Sequence, residues 1–539
     1  MKRFISMLLA LAMMLGTATF IGCSDPEIDP NRTQLYVGLK ESGLGSEWMY
    51  ELKYKFEATH PEIQVMIDVK NEEYNGDKVF ANIKYGREDV YFLNSAAYYD
   101  FVSLNGGSDY LADLTDVVTE GGENSIWSRA NKESINYYNV GTDDNPEIYG
   151  LPFSESNWCI TYDKDLFEEK DLYNLDGYAG LDCIVGTDDD NYGPDGKEGT
   201  FDDGLPATWE DFKLLLIEMT SQGVTPFTWT GKWSDYRAKS IASIVASYEG
   251  AEDYMLRYNF NGTHDELGEI NEQNGYKLAD SEGVKAAITV AKHITSDPKF
   301  CSSRTTNTTL DHSQAHHEYL VSKEGDSPIA FLFEATWWEY EAKGIFEDMR
   351  AKYGAGNGYG ERNLGMFPFP KFIGTEGIKN QTNTKTTYAA TIATTPGMAC
   401  VNKNSEIVDV AKEFVQYALS TEANAIYTSI TGNTAPYKYD MTEAQLARLT
   451  PLQKDIFVQR ASEDVEFARG ATKNNLHMFS GSYFESWTLK SYNADTKETY
   501  SDPLLTFQKN PNMTVAQYVE GIRNIYNSTT WQEMYDRVY

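Results

Sequence analysis

Residues Tyr149–Phe167 read YGLPFSESNWCITYDKDLF, and the fold is decided by how this stretch is read. Gly150 and Pro152 punctuate a loop. Trp158, Ile160 and Tyr162 then alternate with Cys159 and Thr161, the period of two that marks a half-buried strand. A strand entered from a Gly/Pro break suits a crossing from one folded body into another. With 539 residues the chain is long enough for two or three such bodies.

Upstream of the crossing, Leu35-Tyr36-Val37-Gly38-Leu39 predicts a strand, and Glu41 to Gly45 a glycine-containing loop. Ser46 is placed to cap a helix whose apolar face is Trp48, Leu52 and Phe56, ending before Pro61. Ile63, Val65, Ile67 and Val69 alternate as a second strand, residues 77–84 continue as a helix, and Asp89-Val90-Tyr91-Phe92-Leu93 is a third strand. Strands and helices in that alternation predict a parallel sheet with crossover helices. Ligands of such sheets gather at the carboxyl ends of the strands. That selects the loops at 41–45 and 94–103, and with them Glu41, Asn94, Tyr98 and Asp100 as polar binding candidates.

Downstream, Thr208-Trp209-Glu210-Asp211 is a capping box opening a helix that buries Phe212, Leu215, Leu216 and Met219. Val224 to Trp233 is rich in Thr and Gly, which do not sustain a helix, so a loop is predicted to carry Trp229 and Trp233. A helix at 311–322 holds His312 and His316 four apart, but the HExxH of a zinc protease is missing, and a solvated helix face is the plainer reading. Ile329 to Phe333 predicts a buried strand that delivers Glu334, Trp337 and Trp338 to its carboxyl end. Gly365 to Pro370 closes a second sheet, Thr395 to Asn402 returns to the first, and Met441 to Tyr539 reads as mostly helical, anchored by Trp487 and Trp531. No internal repeat was evident along the chain.

Gly150-Leu151-Pro152 with Tyr162-Asp163-Lys164-Asp165-Leu166-Phe167 resembles the first crossover of the family 1 extracellular solute-binding proteins that feed bacterial sugar ABC importers. Asp163 stands where that family prefers Asn. Leu205-Pro206-Ala207-Thr208-Trp209-Glu210-Asp211-Phe212 resembles the opening of its first large second-lobe helix, and Ala335-Thr336-Trp337 its strand-end tryptophan, with Ala for the usual Gly. Asn402 to Phe414 and Gly432-Asn433-Thr434-Ala435-Pro436 are similar to further landmarks. The resemblance implies an α/β, two-lobed periplasmic-binding-protein-like fold of type II, each lobe a sheet flanked by helices, with the ligand cleft between. Lobe 1 is expected at 33–152 with 396–435 and lobe 2 at 153–395 with 436–539, hinged near Tyr149, Thr395 and Asn433. It also implies a monomeric importer subunit, partnered by permease subunits, with no catalytic role and no required cofactor.

Formal net charge is −35, a field that repels phosphate backbones and anionic membranes, so nucleic acid is excluded as a natural partner and a neutral ligand favoured. Lys2 and Arg3, an apolar run from Phe4 to Ile21, and Gly22-Cys23 make a secretory signal over 1–22. Ile21-Gly22-Cys23 resembles a lipobox, implying lipidation of Cys23, a tether over 23–32, and export to the outer face of the cell membrane or the periplasm; an uncleaved anchor is the alternative. Cys159, Cys183, Cys301 and Cys400 are too widely spaced for a compact disulfide framework, and buried free thiols are expected. Residues 188–204 read DDDNYGPDGKEGTFDDG. Asp188, Asp190, Asp195, Asp202 and Asp203 among glycines suit calcium, which takes six to eight oxygens, although the spacing is not that of an EF-hand; a bare acidic surface loop is the alternative.

Neutral sugars present apolar C–H faces and polar edges, so their sites need flat rings ringed by amides, carboxylates and hydroxyls. Trp229, Trp233, Trp337 and Trp338 are the candidate rings. Capture of a mono- or oligosaccharide by hinge closure is the reading these residues support. A calcium-dependent glycan hydrolase or lyase, or a surface glycan-binding protein, are the alternatives; no GxSxG, HExxH, phosphate loop or zinc cysteine cluster favours catalysis.

Overall fold

The computed structural model describes residues 28–539 except 72–73, 75–77, 95–97, 99–101, 103–108, 143, 382–387, 392–396, 471 and 476–488. The signal segment, Cys23, Asp100, Thr395 and Trp487 lie outside the described residues.

The framework strands are β1 (Thr33–Leu39), β2 (Ile63–Val69), β3 (Val90–Asn94), β4 (Leu151–Ser154), β5 (Trp158–Asp163), β6 (Thr225–Thr228), β7 (Ile329–Ala335), β8 (Leu364–Phe367), β9 (Tyr388–Thr391), β10 (Gly397–Val401) and β11 (Val465–Ala468). The helices that matter to the site are α1 (Glu47–Thr59), α2 (Trp209–Ser221), α3 (Ser234–Glu249), α4 (His312–Ser322), α5 (Trp338–Glu341), α6 (Val408–Ala418), α7 (Thr421–Thr431) and α8 (Pro451–Ala461).

One sheet runs β2-β1-β3-β10-β4, with β1, β2 and β3 parallel and β10 antiparallel to both its neighbours. The other runs β8-β5-β7-β6, in which β5 opposes β7 and β8 while β6 lies parallel to β7. Each sheet has its own core. The first gathers Leu35, Trp48, Leu52, Phe56, Phe92, Phe153, Phe414 and Tyr427, so that chain from before the crossing and chain from 398–437 share one interior. The second gathers Phe167, Trp209, Phe212, Phe227, Phe331 and Phe367. The molecule is thus two-lobed, and the crossing between β4 and β5 lies within Tyr149–Phe167.

Local chemistry accounts for most boundaries. Thr208 and Asp211 make the reciprocal capping box at the start of α2, and Asp311 does the same for α4 with Gln314. Ser46 precedes α1 but does not cap it; its hydroxyl donates instead to Glu41 Oε1 at 2.9 Å. Thr225 to Thr228, expected as loop, is a strand, because β-branched Thr and Phe227 fit a pleated position beside β7. The four described cysteines are unpaired; Cys159, Cys301 and Cys400 are buried as expected, whereas Cys183 is exposed on the acidic loop.

Where the crossing meets the C-terminal part of the chain, a buried ionic network joins the lobes. Glu155 accepts from Arg460 at 2.8 Å, from Arg469 at 3.0 Å and from the Ser134 hydroxyl, and Arg469 reaches Glu133 at 3.0 Å. Burial alone would raise the Glu155 carboxyl, but the two guanidiniums outweigh it and hold the group at about 2.

Candidate functional site

Three elements of the second lobe deliver aromatic rings to one point. The antiparallel register of β5 and β7 sets Trp158 opposite Ala335. Trp337 follows two residues after the end of β7, and Tyr236 stands in the first turn of α3. Trp158 lies 5.7 Å from Trp337 and 4.9 Å from Tyr236, both edge to face, and Tyr236 and Trp337 are 6.5 Å apart. Tyr236 and Trp337 keep part of their ring surface exposed. Trp337 is half-buried, whereas Trp158 is enclosed. The Trp158 indole N–H is buried and has no acceptor among the described residues, a donor that a ligand oxygen would satisfy.

Behind the rings lies a layer of titratable groups. His312 stacks on Tyr236 at 5.9 Å, and its Nε2 faces Glu341 Oε1 at 3.5 Å. The Glu341 carboxylate raises His312 above its ordinary 6.5, more than burial lowers it. For Glu341 itself burial pulls upward, but hydrogen bonds from His312 and Trp337 leave it lowered. One turn along α4, His316 Nε2 meets Glu334 Oε2 at 3.0 Å in the interior.

The sequence candidates divide sharply. Trp337 is at the rings. Trp233 is 39 % exposed just before α3, with the Lys232 ammonium 4.5 Å from its ring, and stands apart from the cluster. Trp229 is interior, stacked on Phe333 at 5.7 Å, because β6 is a strand that turns it into the core. Trp338 is interior as well: it follows Trp337 by one residue, points the other way, and donates to Thr161 Oγ1 at 2.9 Å. Glu334 is enclosed and paired with His316 rather than facing a cleft. Tyr98 is buried in the first lobe, its hydroxyl donating to the Tyr138 carbonyl and accepting from the Tyr149 N–H. Glu41 sits on the loop after β1, held by Ser46, and Asn94 ends β3 opposite Gly397. Trp158, Tyr236, His312 and Glu341 were not singled out as binding groups. The alternation of its neighbours marks Trp158 only as a strand residue, and the β5/β7 register places it beside Trp337.

The acidic loop and the chain just before it carry a tandem repeat. Gly180-x-Asp182, Gly186-Thr187 and Asp189-Asp190 recur thirteen residues on as Gly193-x-Asp195, Gly199-Thr200 and Asp202-Asp203. The bonds recur too. Asp182 N donates to Asp189 Oδ2 as Asp195 N does to Asp202 Oδ2, and Gly186 N to Asp190 as Gly199 N to Asp203. In the first copy the Thr187 hydroxyl lies 3.4 Å from Asp182, 2.9 Å from the Ile184 carbonyl, 2.9 Å from Asp189 and 3.0 Å from Asp190. Thr200 lies 3.2 Å from the Lys197 carbonyl, 2.6 Å from Asp202 and 3.4 Å from Asp203. Burial pushes Asp202 up to about 6. Asp188 is exposed outside both copies of this pattern. Among the described residues no group of three or more His, Cys, Asp or Glu is arranged to hold a metal ion.

Residues 40–296 match the model of a family described as bacterial extracellular solute-binding protein. Solved structures share the fold over most of the chain. A solute-binding protein, RafE, in complex with raffinose, whose ligand-free form is from Streptococcus pneumoniae, is 13% identical with a TM-score of 0.55, covering 93% of this chain and 100% of its own. A protein from a study of xylan utilization by Caldanaerobius polysaccharolyticus is 15% identical with a TM-score of 0.58, covering 92% and 100%. The Thermus thermophilus maltotriose binding protein, bound with maltotriose, is 13% identical with a TM-score of 0.51, covering 93% and 99%. A search of curated protein sequences finds no match.

Proposed function

Because residues 40–296 match the family model of the bacterial extracellular solute-binding proteins and the fold is two-lobed, we propose that the chain is one of them and serves as the capture subunit of an ABC importer for a neutral oligosaccharide. The observation that carries this reading is the convergence of Trp158, Tyr236 and half-buried Trp337 at the carboxyl end of β7. Burying ring surface contributes roughly 1.5–3 kcal/mol per large side chain, and micromolar binding needs about 8 kcal/mol. Two rings with oriented hydrogen bonds, the Trp158 indole among them, reach that level.

In this reading lobe 1 is residues 33–152 with 396–435, and lobe 2 is 153–395 with 436–539. The lobes rotate about the crossing at Glu155 and close on the sugar, which shifts the equilibrium only through contacts made to both lobes in the closed form. Glu41 and Asn94 are the proposed first-lobe partners of the sugar, Trp337 and Tyr236 its second-lobe rings with Trp158 supporting them from behind, and Trp233 an outlying ring. The closed monomer then docks on permease subunits and releases the sugar unaltered. Cys23 holds the protein to the membrane by a lipid. The acidic loop is the proposed cation site; its support is the doubled set of carboxylates and carbonyls around Thr187 and Thr200, and calorimetric titration with calcium tests it, no heat removing it.

A thermal-shift series with maltotriose, raffinose and a xylo-oligosaccharide tests the binding reading. At least one should raise the melting temperature by a few degrees at a hundredfold excess over its dissociation constant, and chromatography should recover it intact. No shift with any neutral glycan, or recovery of cleaved product, overturns the proposal.

A further inference from the structure

The loop after β1 and the short helix α5 approach each other across the gap between the lobes, and three contacts concentrate there. The Tyr340 hydroxyl donates to Glu47 Oε2 at 2.7 Å. A Cβ added at Gly43 would lie 3.1 Å from Glu341 Oε1 and 3.3 Å from Trp337 Cδ1, so only hydrogen fits comfortably against those side chains. A Cβ at Gly45 would lie 3.0 Å from the Tyr340 ring, and its backbone, at φ 66° and ψ −174°, is in a region that only glycine occupies at low cost.

We propose that Ser42–Glu47 and α5 form a latch that seats the first lobe on the second: the Tyr340–Glu47 bond holds the closed form, and Gly43 and Gly45 allow the close approach. The chemistry suits a latch. Burial, and then the bond to Glu47, keeps the Tyr340 phenol protonated, so it remains a donor. Burial pulls Glu47 upward, but the Tyr340 bond, the backbone and the Lys343 charge leave it lowered, so it remains an acceptor. Glu47 also opens α1, where the helix dipole favours a carboxylate. The latch touches Trp337 and Glu341 directly, so seating the loop and covering the rings are one event. These are positioning residues. They act on the sugar by fixing the closed width at the Trp337 end of the gap.

This inference rests on the closure reading above, and the experiment separates the two. In stopped-flow tryptophan fluorescence, with whichever of maltotriose and raffinose binds, Tyr340→Phe should release sugar about threefold to tenfold faster, the factor one hydrogen bond supports, with little change in association. Glu47→Ala combined with Tyr340→Phe should be no worse than the more affected single variant. Gly43→Val should keep the far-ultraviolet circular dichroism of the wild type but lose affinity more than tenfold. Hydrogen exchange without sugar reads the latch independently: amides of 42–47 should exchange faster in Tyr340→Phe than in wild type. Unchanged release and unchanged exchange overturn the latch. If no neutral glycan of the thermal-shift series binds the wild type, the function proposal fails, and the exchange comparison alone decides the latch.

Discussion

Trp337 and Trp338 are neighbours in sequence with different roles in the fold. Trp338 locks into Thr161 and the interior, while Trp337 stays half-buried against Trp158. Trp337→Ala should therefore weaken glycan binding about tenfold to a hundredfold, the worth of one stacked ring, with little loss of fold stability; Trp338→Ala should unfold the lobe at lower urea. Calorimetry and urea titration check the two. His312 adds a pH dependence. Its folded pKa lies above 6.5, raised chiefly by Glu341, so the ion pair contributes fully below pH 6.5 and is lost as pH rises through the folded value. Tryptophan fluorescence should titrate above pH 6.5 in the wild type and not in His312→Gln. Tyr98 marks the limit of reading residues from sequence. A tyrosine on a loop at a strand end looks available, and only the fold shows its hydroxyl committed to Tyr138 and Tyr149.

Elements whose signal is local were legible: the Thr208/Asp211 capping box, the alternation in β2 and the apolar run of β7 all lie within a few residues of chain. Elements whose meaning depends on register were not. Trp229 lies in irregular chain just after β6, as its Thr- and Gly-rich surroundings predict, yet the pairing of β6 with β7 sets its ring in the core. The acidic repeat escaped notice because only glycine, threonine and aspartate positions recur, and its regularity shows in the bonds. The crossing itself makes a prediction at this scale. Glu155→Ala would leave Arg460 and Arg469 buried and unpaired, which costs roughly 3–5 kcal/mol in urea denaturation. Because the carboxyl is held at about 2 against an ordinary 4.5, its contribution is complete above pH 4.5 and fades as pH falls toward 2. The wild type should lose stability across that window, and the variant should lack that part of the loss.

Two sheets with separate cores are joined by a crossing pinned through Glu155 and meet again where Tyr340 reaches Glu47. This much followed from the order of strands and from family-like landmarks, since strand order is written along the chain. The contacts across the gap were not legible, because Gly43 and Trp337 lie almost three hundred residues apart. The net charge of −35 disfavours polyanionic ligands. The central claim is that a neutral glycan draws the halves together. Small-angle X-ray scattering of the wild type, with and without a saturating glycan found in the thermal series, measures this directly: the radius of gyration should fall on binding, and an identical radius in both states would contradict the account.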